Sequence, residues 1–199
     1  MLNDMQLDAI KEVGNIGAGN AATALAEMTS MKIDITVPKV LVEEIEDIPL
    51  KLGGSSTVSV GIYFGIEGDL NGNIILFLPV EGALKMIDIM MFMEQGTSKE
   101  IDEMGQSALM ELGNILASSY LNALSGLTGT YLLPSPPNYT TETVGSMINN
   151  ILNNMGLDVD RTIFVATEFT ESSVRVEGGL LFLLTPQSLS KLFSIMGLE

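Results

Sequence analysis

At 199 residues, with 25 Asp and Glu against 9 Lys and Arg, the chain carries a formal charge of −16, yet 46% of it is hydrophobic and only 17% charged. That pairing excludes intrinsic disorder, which needs low hydrophobicity with high charge, and the acidity excludes nucleic-acid binding and a polybasic membrane patch. His and Cys are both absent, which removes imidazole catalysis, thiolate nucleophiles, Cys/His zinc sites and disulfides.

The N-terminal residues form no basic and apolar leader, and apolar runs such as residues 74–80 are far shorter than the ~20 needed to span a bilayer. A cytoplasmic protein that does not enter membranes is expected.

Apolar periodicity predicts a long helix over residues 4–29, with Asn3 and Gln6 as a weak cap. Residues 39–56 read as a strand followed by a polar loop. Strands are expected over 57–64 and 73–78, then an amphipathic helix over 81–93. Thr97-Ser98-Lys99-Glu100 has the form of a capping box, opening a second long helix over 98–126. In residues 139–156, Val144, Met147, Ile148, Ile151 and Leu152 line one side of a helical wheel. Strands over 162–169 and 180–184 and a helix over 186–196 complete the chain.

This order is that of a duplication. Shifting the sequence by 99 residues lays Glu12, Gly14, Asn15 and Pro38 over Glu111, Gly113, Asn114 and Pro137, with eleven of thirty-five positions identical between 4–38 and 103–137. A shift of 106 lays Gly72, Lys85 and Met90 over Gly178, Lys191 and Met196. No linker separates the halves. The expected fold is therefore α+β: one domain of two pseudo-symmetric repeats, about 1–96 and 97–199, with a mainly antiparallel sheet and the long helices packed on it.

At about 100° per residue, Asp8, Glu12 and Asn15 fall on one narrow polar stripe, opposite an apolar face rich in Gly and Ala. Ser107, Glu111 and Asn114 repeat it. An ordinary solvated face could carry such residues, but Asn is a poor helix-interior residue, and here it recurs at the same place in the same spaced pattern.

With Asp8 or Ser107, Glu12 or Glu111, Asn15 or Asn114, and Pro38 or Pro137 in fixed spacing, the sequence resembles the CheC–CheX–FliY family of chemotaxis phosphatases. The run from Glu12 through Gly14, Asn15 and Asn20 to Thr23 is most similar to its CheC branch. The resemblance implies dephosphorylation of the response regulator CheY. Asn15 and Asn114 would orient the attacking water, and Glu12 and Glu111 would pair with the receiver's Lys. Mg²⁺ would sit on the receiver, with no cofactor or metal held by this chain. Asp8 and Ser107 are expected to cap or orient the stripe, and Pro38 and Pro137 to end local structure. A second implied partner is the deamidase CheD, with Glu142, Val144, Met147 and Ile148 of the 141–154 segment as its contacts. Two other readings stay open: a non-catalytic adaptor for CheD or a receiver, and a small-molecule hydrolase built from Glu12 and Glu111.

Overall fold

A computed structural model of the protein describes residues 4–155 and 161–197. The first half runs α1 (Asp4–Thr29), β1 (Ile33–Glu44), a 3-10 turn (Ile45–Asp47), α2 (Ile48–Lys51), β2 (Val58–Gly68), β3 (Gly72–Pro79) and α3 (Val80–Met90). The second runs α4 (Glu103–Thr128), β4 (Leu132–Pro134), β5 (Asn138–Thr143), α5 (Val144–Met155), β6 (Arg161–Glu171), β7 (Val174–Leu184) and α6 (Pro186–Ile195).

All the strand pairings are antiparallel, in the order β1-β6-β7-β3-β2, with β4 and β5 both on the outer side of β2. Each half contributes a hairpin, β2–β3 or β6–β7, and the hairpins meet through β3 and β7 at the centre. The outer strands cross over: β1 of the first half pairs with β6 of the second, and β4 and β5 of the second pair with β2 of the first. One sheet thus runs through both halves.

The central strands are buried on both faces, which is why they read as unbroken apolar runs rather than alternating ones. Ile74, Leu76 and Leu78 of β3 enter the main core beneath α1, α4 and α3, while Ile75 and Phe77 enter a second core on the opposite face. That second core is closed by Ile45 and Ile48 after β1 and by Val144, Met147, Ile148 and Ile151 of α5. Residues 39–56 are accordingly not the strand and polar loop expected, because Ile45, Ile48 and Pro49 are buried.

Pro38 and Pro137 interrupt the two outer strands at equivalent places. The β1–β6 register slips between Thr36 and Lys39, around Pro38. Pro137 lies in the gap between β4 and β5, where the Ser135 hydroxyl accepts from the Gly65 amide at 2.8 Å. A proline has no amide to give to a ladder, so each ends a stretch of regular pairing, as expected.

The second long helix begins five residues later than the sequence implied. Instead of capping it, the 96–98 amides donate backwards to the buried carboxylate of Asp88 at the end of α3: Gly96 at 2.7 Å, Thr97 at 3.2 Å and Ser98 at 2.9 Å. Asp102 is the true cap, accepting from the Gly105 amide at 2.7 Å. The Asn3 cap and Gly156, the end of the 139–156 prediction, lie outside the described residues. Among the described residues no helix is long and apolar enough to cross a membrane.

Candidate functional site

Two glycines set each long helix on the sheet. A β-carbon at Gly14 would stand 3.6 and 3.7 Å from the side chains of Val37 and Val40, so α1 rides directly on β1. At Gly113 it would stand 2.7 Å from Ile62, so α4 lies equally close over β2. Each glycine immediately precedes an asparagine. Successive helical residues are about 100° apart, so pressing the glycine onto the sheet turns the asparagine outward.

The outward stripes have the predicted composition. Asp8, Glu12 and Asn15 are all exposed on α1, while Ile10, Gly14, Ala21 and Leu25 are buried on its other side. On α4, Ser107 and Glu111 are exposed and Asn114 is half-buried. Among the described residues, Glu12, Asn15, Glu111 and Asn114 have no hydrogen-bond or ion-pair partner in the fold. Their polar atoms are open to a partner.

Asp8 and Ser107 differ in more than charge. The Ser107 hydroxyl donates to the Glu103 carbonyl at 2.9 Å, one turn back on its own helix. It therefore neither caps α4, which Asp102 does, nor reaches Glu111. Such a back-bond satisfies a serine within a helix without recruiting a neighbour.

The stripes are convex surface, not pocket walls. A small apolar cavity lined by Ile10, Val13, Tyr120 and Phe182, another of about 520 Å³ lined by Pro38, Lys51, Phe164 and Arg175, and a third beside Arg161 contain none of the six stripe residues. Glu12 and Glu111 therefore share no wall in any of them, and the geometry gives the paired-carboxylate hydrolase no site. Among the described residues no cluster of three or more acidic side chains could hold a metal.

The contacts expected for CheD are corrected by α5. Val144, Met147 and Ile148 are 0%, 2% and 4% exposed, packed in the second core. Glu142 lies on β5, where its carboxylate accepts from Thr140 at 3.0 Å and Asn150 at 3.1 Å. The apolar side of α5 is sheet-facing; its exposed side shows Ser146, Asn149 and Asn150.

The CheC-like family matches at residues 5–42 and again at 104–140, two segments whose starts are 99 residues apart. The chain is 33% identical over 200 aligned residues to the CheY-P phosphatase CheC of Bacillus subtilis, covering 98% of this chain and 96% of that protein. In fold it is similar to FliY of Thermotoga maritima, at a TM-score of 0.79 and 23% identity, covering 99% of this chain and 98% of the other. It is also similar to the chemotaxis chain in the CheX–CheY–BeF3–Mg²⁺ complex from Borrelia burgdorferi, at a TM-score of 0.51 and 21% identity over 85% of this chain and 96% of that one. Full-length identity of this order, with the motif segment matched in both halves, establishes that the chain belongs to the CheC-like family.

Proposed function

We propose that the chain hydrolyses the aspartyl phosphate of a phosphorylated CheY-type receiver. The observation that carries this reading is the pair of exposed, unpartnered Glu and Asn side chains, three residues apart on one helix face and present on both long helices. The name of the Bacillus subtilis relative supports it.

The chemistry asks little of the chain. Water oxygen attacks phosphorus in line, the bond from phosphorus to the receiver's carboxylate oxygen breaks, and inorganic phosphate leaves as the Asp carboxylate is restored. The water's proton passes to the phosphate or to solvent. Such transfers depend mainly on positioning and on charge stabilisation. The carboxamide of Asn15 or Asn114 accepts from the water through its C=O, while its NH₂ stays free to donate. Three residues earlier, Glu12 or Glu111 pairs with the receiver's Lys and fixes the register by a charge-assisted bond. Mg²⁺ belongs to the receiver.

The test is phosphate release from a phosphorylated CheY, compared between the wild type and a chain carrying Asn15→Ala with Asn114→Ala. Loss of acceleration in the double variant is expected; full acceleration would overturn the mechanism. Binding of the receiver without faster release by the wild type would favour an adaptor instead. A CheD-type deamidase, as a proposed further partner, would have to meet α5 through Ser146, Asn149 and Asn150. Action on CheY also places the protein, by proposal, in the cytoplasm.

A further inference from the structure

Both stripes extend one turn further than the Glu and Asn pairs, and both end on the same residue. Met5 is 66% exposed and Met104 is 64% exposed, at positions 99 residues apart. On the helical wheel Met5, Asp8, Glu12 and Asn15 fall within an arc of about 80°, as do Met104, Ser107, Glu111 and Asn114. An isolated exposed methionine needs no explanation. Two at equivalent places, each beginning a stripe of open polar groups, form a pattern.

We propose that Met5 and Met104 are apolar anchors that dock each stripe on the phosphorylated receiver, setting affinity rather than chemistry. This rests on the reading of the stripes as receiver-facing. At 1.5 Å rise per residue, each methionine sits about 10 Å from its Glu and about 15 Å from its Asn. The matching surface of the receiver is therefore an apolar patch about 15 Å from its phosphorylated Asp.

Three observations favour that occupant. The anchor is continuous with the stripe, so anything that meets Glu12 and Asn15 squarely also covers Met5. The chain's charge of −16 provides no long-range attraction for an acidic phosphorylation pocket, whereas apolar burial is indifferent to the sign of charge. The stripe also falls away beyond Asn15: Gly19 is exposed, with open space where a β-carbon would be. The ridge is therefore tall at the methionine and low past the asparagine. An unbranched thioether also adapts to varied partner surfaces.

The experiment is calorimetric titration with CheY activated by Mg²⁺ and beryllofluoride, using the full chain and its Met5→Gln, Met104→Gln double variant. Glutamine keeps length and helix propensity at these exposed sites. Kd is expected to rise at least about fivefold, the scale set by burying part of a methionine. Unchanged Kd would overturn the proposal. So would an equal loss in Met28→Gln, which alters another exposed methionine of α1 about 140° from Met5. Sedimentation of the same samples separates a second copy of this chain as occupant: self-association of the wild type that the double variant abolishes would also overturn it. Phosphate release distinguishes the two readings. Methionine-dependent binding without accelerated release leaves docking standing and removes the phosphatase; accelerated release with the same KM in the double variant does the reverse.

Discussion

Gly17 of α1 lies against Tyr120 of α4 so closely that a β-carbon on the glycine would stand 2.8 Å from the tyrosine ring and 3.1 Å from its Cα. Two helix backbones approach here over a side chain that is itself 1% exposed and tilted against Phe182, with ring centroids 5.9 Å apart. The contact locks the helices that carry the two stripes to each other. Gly17→Ala is expected to destabilise by about 1–3 kcal/mol, because neither backbone nor ring can yield freely. Gly19→Ala, with open space around it, should be neutral or stabilising by up to about 1 kcal/mol. Urea denaturation of the two variants gives both signs in one experiment.

Asp88 predicts an acid limb in the stability profile. Burial pushes its carboxyl pKa up, but bonds from the Ser98 side chain and from the amides of Ser98, Gly96 and Thr97 outweigh this and hold it below the ordinary value. A lowered folded pKa gives stability that is complete above the unfolded carboxyl value, about 3.9, and is lost as pH falls through the folded value. Asp88→Asn should cost about 1–3 kcal/mol at neutral pH and flatten the dependence below pH ~4. Thermal melts across pH 3–7 would show an undiminished acid limb in the variant if another group were responsible.

On the proposed mechanism, the two copies are unequal. Asn15 is exposed and Asn114 half-buried, so Asn15→Ala should remove the larger share of phosphate release. The double variant should fall by about 100-fold, the scale on which loss of positioning acts. Steady-state release from phosphorylated CheY by the two single variants ranks the sites directly.

The placement of α5 separates core from surface. Met147→Ala should cost about 2–5 kcal/mol, as for other buried large-to-small changes. Asn149→Ala, on the exposed side, should stay within about 0.5 kcal/mol. Gly61 of β2 is part of the same packing, since a β-carbon there would stand 2.5 Å from the Met147 sulfur. Chemical denaturation of the two variants tests this directly: near-equal midpoints would mean that α5 does not seal the second core.

Local patterns were legible where neighbours in sequence are also neighbours in space. The α1 stripe follows from 3.6-residue periodicity and is found as expected, with Ile10, Gly14, Ala21 and Leu25 turned inward. The start of α4 was not legible, because a capping box competes with any carboxylate within reach of its amides. Here the winner, Asp88, lies on another helix, eight to ten residues back. In 39–56, Ile45 and Ile48 gave no sign that α5, a hundred residues later, would complete their core.

The sequence by itself determined the α+β class, the two long helices and the Glu and Asn pairs on them, because helical periodicity, capping preference and residue spacing are properties of short stretches of chain. It also ruled out His, Cys and nucleic-acid chemistry outright. Only the tertiary structure decided that each half lends its outer strand to the other's hairpin, and that the apolar side of α5 faces inward. It likewise revealed that Gly14 and Gly113 press the helices onto β1 and β2, turning Asn15 and Asn114 out. Those outcomes depend on which distant surfaces exclude water together, a choice made by the whole chain at once.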